Sequence, residues 1–124
     1  MKKLLLNLLV FNFLFLGLAQ ADVRFYEEVR ADKAILLDIR EADEIKSGMI
    51  KGASWLPLSS LNKNPVETIR KLRNIVKNKD LYIYCRSGRR AEAFISQVQN
   101  DGIKGINVGG YEDLVSQGLP FETR

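Results

Sequence analysis

The sequence predicts an α/β domain with a largely parallel central sheet flanked by helices, and three observations predict it. Strand-like and helix-like segments alternate along the chain beyond residue 22, the pattern that builds strand–helix–strand units. Ala34-Ile35-Leu36-Leu37-Asp38-Ile39 is an apolar run closing on a charge, as expected for a buried parallel strand. Of the 124 residues, the stretch from Asp22 to Arg124 suffices for one domain with a modest core and not for two.

The elements follow in order. Phe25 to Val29 suits part of a short amphipathic helix, and Ala34 to Ile39 is the first strand. Glu41 to Lys46 suits a short helix that Gly48 ends. Ala53-Ser54-Trp55-Leu56 is a short strand stopped by Pro57. Asn64-Pro65-Val66-Glu67 reads as a helix start, with Asn at the N-cap, Pro at N1 and Glu at N3 in a capping box. Val66, Ile69, Leu72, Ile75 and Val76 then keep helical spacing, which puts them on one face against the sheet. Leu81-Tyr82-Ile83-Tyr84 is a strand of strong β-formers that runs directly into Cys85. Ala91 to Val98 is a helix with Ala91, Phe94, Ile95 and Val98 on one face, closed by Asn100-Asp101-Gly102. Ile106-Asn107-Val108 is a last short strand and Gly109-Gly110 a tight turn. Tyr111 to Ser116 is a final helix, and Gly118 and Pro120 lead into a polar tail.

Residues 1–21 have the pattern of a cleaved signal peptide, which leaves 22–124 as the working domain. Lys2 and Lys3 make a positive start, Leu4 to Leu18 an apolar stretch, and Ala19-Gln20-Ala21 the small-x-small cleavage pattern. The apolar stretch, about 15 residues, falls short of the roughly 20 that span a bilayer. The expectation is an exported, periplasmic protein with no stable membrane association once the leader is removed. Loss of Lys2 and Lys3 would halve the formal charge of +4. With no long basic run and no interleaving of basic and aromatic residues, nucleic-acid binding is not indicated.

Cysteine usage narrows the chemistry. Exported proteins usually place cysteines in pairs, yet this chain has one, Cys85. It is followed by Arg86, Ser87, Gly88, Arg89 and Arg90. A loop between a strand and a helix wraps the helix N-terminus, where unpaired N–H groups and the helix dipole favour an anion. Gly88 can take the positive φ that lets successive N–H groups converge. The three arginines add cationic charge, Arg89 being the one most readily read as a solvated surface residue. A cysteine in that setting reacts as its thiolate, the form that nucleophilic catalysis requires. With no histidine in the chain, the loop itself must stabilise that thiolate. Asp38, at the carboxyl end of the first strand, either touches this loop or caps the next helix while pairing with Arg40, and the structural role is favoured.

The loop Cys85 to Arg90 resembles the six-residue active-site loop of single-domain rhodaneses. Leu37-Asp38-Ile39-Arg40-Glu41 resembles that family's Asp-x-Arg segment. Gly48-Met49-Ile50-Lys51-Gly52-Ala53 resembles its Gly-His-Ile-x-Gly-Ala stretch with Met49 in place of histidine, and Val108-Gly109-Gly110-Tyr111 its closing Gly-Gly segment. The combination with a leader looks closest to small periplasmic rhodaneses. The resemblance implies a rhodanese-like fold and a thiosulfate sulfurtransferase. In it, Cys85 attacks the sulfane sulfur of a thiosulfate-like donor and releases sulfite. The resulting persulfide, held by the N–H groups of Arg86 to Arg90, passes its sulfur to a thiophilic acceptor, cyanide or a thiol, in ping-pong fashion. No metal and no organic cofactor is implied.

Two other readings use the same residues. A cysteine-dependent phosphatase resembles Cys-x5-Arg, but the sixth residue after Cys85 is Ala91 and Arg90 falls one short. A non-catalytic or carrier module binding sulfur species or oxyanions would look much the same in sequence. A thiol–disulfide exchange enzyme would require a second cysteine, which the chain lacks.

Overall fold

The computed structural model describes residues 23–123, so the leader read from residues 1–21 lies outside it. In chain order the elements are α1 (Phe25–Arg30), β1 (Ala34–Asp38), α2 (Ala42–Ile45), β2 (Met49–Ile50), β3 (Ser54–Trp55) and α3 (Leu58–Lys63). There follow α4 (Pro65–Val76), β4 (Asp80–Cys85), α5 (Arg89–Gln99), β5 (Gly105–Gly110), α6 (Tyr111–Ser116) and β6 (Phe121–Glu122). The central sheet has the order β3-β1-β4-β5, and every neighbouring pair is parallel. No helix among the described residues is long and apolar enough to cross a membrane.

The period of two along β4 divides the core between the two faces of the sheet. Leu81, Ile83 and Cys85 point to the face covered by α4 and α5, where they meet Leu72, Val76, Ala91, Phe94 and Val98. Tyr82 and Tyr84 point to the opposite face, among Phe25, Tyr26, Met49, Ile50 and Leu114. Leu37 and Leu36 split in the same way on β1. The sulfur of Cys85 is thereby directed under α5, on the far side of the sheet from its neighbour Tyr84.

Four expectations change in detail. Asn64 precedes α4 as predicted, but its side chain caps nothing. Asn64 also closes α3, donating its N–H to the Ser60 carbonyl, and Thr68 Oγ1 donates to that same oxygen. Glu67 turns outward to Arg70, so no capping box forms there. The predicted α4 face included Val66, which is 84% exposed, and the buried residue of that turn is Thr68. Abutment of α3 on the start of α4 covers Thr68 in place of Val66.

Gly109 and Gly110 form no tight turn; they are the last residues of β5, paired with Tyr84 and Cys85. A register shift between Ile83 and Tyr84 accommodates them. The polar tail also contains a strand, since β6 pairs antiparallel with β2 through Met49–Glu122 and Ile50–Phe121. Met49 is buried in that corner, packed as core.

Candidate active-site loop

Cys85 ends β4 and α5 begins at Arg89, so only three residues turn the chain between them. Gly88 makes the turn with φ +93°, a conformation that costs a residue with a Cβ. In that conformation the Gly88 N–H donates to Cys85 Sγ at 3.0 Å. Cys85 is fully buried, and the loop backbone that covers it supplies the sulfur's hydrogen-bond donor. The N-terminus of an eleven-residue helix stands directly over it, adding favourable partial charge for an anion.

Two contacts hold the loop on the end of β5. Asn107 donates through Nδ2 to the Gly88 carbonyl at 2.9 Å and accepts the Gly109 N–H on Oδ1 at 3.0 Å. The same Gly88 carbonyl accepts the Glu92 N–H, so the peptide after Gly88 is held from two sides. Gly110 lies against the carbonyl of Arg86, where a Cβ would collide with backbone. Gly110→Ala is therefore expected to cost about 1–3 kcal/mol and to displace the loop. Gly109→Ala, at φ +100° but with open space around it, is expected to cost about 1 kcal/mol and leave the loop in place. Urea unfolding and the rate of iodoacetamide alkylation of Cys85 check this: faster alkylation in Gly110→Ala alone is expected. Equal rates in the two variants would show that Gly110 does not support the loop.

The arginines divide. Arg86 and Arg89 are exposed, with Ser87 between them, and no ion pair to either occurs among the described residues. Arg90 is half-buried and engaged bidentately by Glu44 of α2, at 2.6 and 2.7 Å. The Arg90 side chain, whose direction the sequence left open, points toward α2. Its charge is already met by a carboxylate. Glu44 Oε1 also accepts the Glu41 N–H, within a capping box that starts α2.

These contacts lower the Glu44 pKa from 4.5 to about 2, chiefly through the hydrogen bonds from Arg90. They raise that of Arg90, again chiefly through Glu44, with the charge of Cys85 a smaller contribution. A carboxylate with a depressed folded-state pKa contributes stability that is fully present above its unfolded value and lost as pH falls through the folded one. The stability difference between the protein and Glu44→Gln should be constant from neutral pH down to about 5 and shrink steadily toward pH 2. Urea unfolding across that range checks it, and a difference that keeps its size at the acid end would refute the assignment.

Asp38 and Arg40 stand apart from the loop. In the parallel ladder Asp38 is registered with Tyr84, whose side chain shares its face, so the pair lies across the sheet from Cys85. Asp38 is 0% exposed and Arg40 4%. Arg40 Nε and Nη2 donate to the carboxylate at 2.8–3.1 Å, and Nη2 also donates to the Gly48 carbonyl at 2.6 Å. The guanidinium lies 4.1 Å from the ring centre of Tyr111, a cation–π contact. Burial works against the charge of Arg40, but Asp38 outweighs it and the pKa is raised. Burial also holds the Tyr84 hydroxyl protonated far above its ordinary range, with the Asp38 charge adding to it. Capping of α2 falls to Glu41, whose carboxylate also accepts from Ser59.

Three residues around the loop escaped the sequence reading. Glu44 was legible only as part of a helix start, and Asn107 as one residue of a short strand. Gly110 was marked by its Gly-Gly pair, but for a different job. Beside the loop, Ser87, Gly88, Arg89, Glu92, Asn107 and Asp113 contribute to the lining of an open groove of about 600 Å³. Among the described residues no group of three or more His, Cys, Asp or Glu side chains gathers into a metal site. The arrangement offers a sulfur-centred anion the Gly88 N–H and the N-terminus of α5, next to two exposed guanidiniums.

The family model for the rhodanese-like domain matches residues 22–117. The chain is 30% identical over 83 residues to the "Putative sulfur carrier protein YrkF" of Bacillus subtilis, covering 66% of this chain and 41% of that protein. It is 29% identical over 85 residues to the "Putative sulfurtransferase YtwF" of the same organism, covering 68% and 76%. A tRNA uridine(34) hydroxylase of Bacillus pumilus is 27% identical over 85 residues, covering 68% of this chain and 26% of that one. The chain thus spans less than half the length of two of these three relatives. Among solved structures, reduced CoADR-RHD of Bacillus anthracis matches with a TM-score of 0.57 at 31% identity, over 73% of this chain and 15% of that one. A rhodanese-related protein of Thermoplasma volcanium matches with a TM-score of 0.65 at 23% identity, over 85% and 95%, a likeness of fold.

Proposed function

The chain belongs to the rhodanese-like domain family, and from that premise we propose that it is a thiosulfate sulfurtransferase working through a Cys85 persulfide. The observation that supports this most is the Gly88 N–H donated to Cys85 Sγ at 3.0 Å under the N-terminus of α5. It supplies what a chain with no histidine and one cysteine needs, a backbone device that favours a sulfur anion.

In the first half-reaction the Cys85 thiolate attacks the outer sulfur of thiosulfate. The new S–S bond forms as the old one breaks, and its electron pair leaves on sulfite. Cys85 then carries a persulfide anion. Backbone N–H groups of residues 86–90 stabilise that terminal sulfur, and Arg86 and Arg89 attract the anionic donor. In the second half-reaction cyanide or a thiolate takes the outer sulfur and returns Cys85 to its thiolate, which gives ping-pong kinetics. The chemistry is carried by the chain's own residues.

Intact-mass measurement tests the proposal. After incubation with thiosulfate the protein should gain the mass of one sulfur atom at Cys85 and lose it on addition of cyanide, with release of thiocyanate. A chain that gains no sulfur yet hydrolyses an aryl phosphate would sink the reading in favour of a phosphatase.

A further inference from the structure

We propose that Glu44 is a specificity-determining residue: by matching the charge of Arg90 it lowers the preference of the loop for dianionic thiosulfate relative to sulfane-sulfur donors of single negative charge. The inference rests on the sulfurtransferase reading and goes beyond it to the donor class.

Three arginines within six residues read, in sequence, as a strongly cationic site. The structure matches one of those three charges. Glu44 approaches from α2, which is 46 residues from Arg90 in the chain, and takes both ends of the guanidinium. The carboxylate is also held by the Glu41 N–H, which fixes it at the start of α2 facing Arg90. The two side chains are 32% and 21% exposed, which leaves their interaction only partly screened by water. On the other side of the loop, Glu92 and Asp113 line the groove together with Arg89. Arg90 is therefore matched by direct contact with a carboxylate, and Arg89 shares its groove with two more. An approaching dianion gains less there than three unmatched guanidiniums would give it, and the shortfall is smaller for a monoanion.

Two donors of similar shape isolate the charge. Thiosulfate transfers its outer sulfur and releases sulfite, a dianion. Methanethiosulfonate transfers its outer sulfur and releases methanesulfinate, a monoanion, through the same attack by the Cys85 thiolate. In both, one S–S bond breaks as one forms, and the electron pair leaves on the sulfur oxyanion.

The experiment measures kcat/KM for both donors, with cyanide as acceptor, in the protein and in Glu44→Gln and Arg90→Gln. In Glu44→Gln the ratio of thiosulfate to methanethiosulfonate should rise about three- to tenfold at low salt, mainly through KM, and fall back in about 0.5 M salt. In Arg90→Gln, which leaves the Glu44 charge unmatched, the ratio should fall. Glu44→Asp, which keeps the charge, should stay near the parent ratio. Loss of activity toward both donors in equal measure, independent of salt, would show a scaffolding role and overturn the proposal. A ratio unchanged in either glutamine variant that folds would do the same. If the parent protein transferred sulfur from neither donor, the sulfurtransferase reading itself would fall, a distinct result.

Discussion

Cys85→Ala should abolish thiosulfate:cyanide sulfur transfer, by about a thousandfold or more, while leaving the domain folded. The chain holds one cysteine and no histidine, so no other thiol or imidazole can stand in. The side chain is fully buried at the end of β4, in the cluster that includes Ala91 and Phe94. Replacing the thiol by hydrogen removes the buried sulfur and with it the acceptor for the Gly88 N–H. That change should cost about 1 kcal/mol, far short of unfolding the domain. Thiocyanate release measures the first effect and urea unfolding the second. Cys85→Ser separates them further: its oxygen can still accept from Gly88 but does not carry a sulfane sulfur. Turnover surviving in either variant would remove Cys85 from the mechanism.

Asp38→Ala should produce the largest loss of stability, about 3–5 kcal/mol. The alanine would leave Arg40 charged, 4% exposed and deprived of both carboxylate oxygens. The Gly48 carbonyl and the face of Tyr111 would remain, and neither carries a full countercharge. Against a typical domain stability of about 5–15 kcal/mol, such a loss is a large share. The asymmetry of buried pairs supplies a control. Asp38→Leu combined with Arg40→Met removes both charges and should recover much of the loss, because an apolar pair avoids stranding one ion. Urea unfolding of the single and double variants gives the comparison. A single variant no less stable than the double would show that water reaches Arg40 and that the pair is not sealed.

Tyr84 and Cys85 show how one strand serves two purposes. Alternation along β4 sends Tyr84 to the Asp38–Arg40 side and Cys85 to the α5 side. The buried ion pair therefore braces the end of the strand that carries the sulfur, without touching the sulfur.

Much of this was legible in the sequence. The apolar run of β1, the β-formers of β4 and the helical spacing in α4 and α5 each report a local period that one element imposes on its own residues. The hexapeptide from Cys85 to Arg90 was legible because its parts are contiguous. So was Gly88 as a residue able to take a positive φ, which it does at +93°. Val66 misled because helical spacing marks a face, but the abutting α3 decides which residues of the first turn are covered.

The rest depended on partners far apart in the chain. β2 and β6 are two residues each, too short to carry a period, and they pair only because the fold brings residues 49–50 to residues 121–122. Gly109 and Gly110 look like a turn locally; the register of β5 on β4 makes them strand and places Gly110 against Arg86. The opening prediction, an α/β domain with a parallel sheet, was determined by the sequence alone, because hydrophobic periodicity reports how each segment must bury itself. Whether the arginines beside Cys85 act as free charges was decided only by the tertiary structure. That depends on Glu44, a residue 46 positions away, and contact across such a distance is set by the order and register of the sheet.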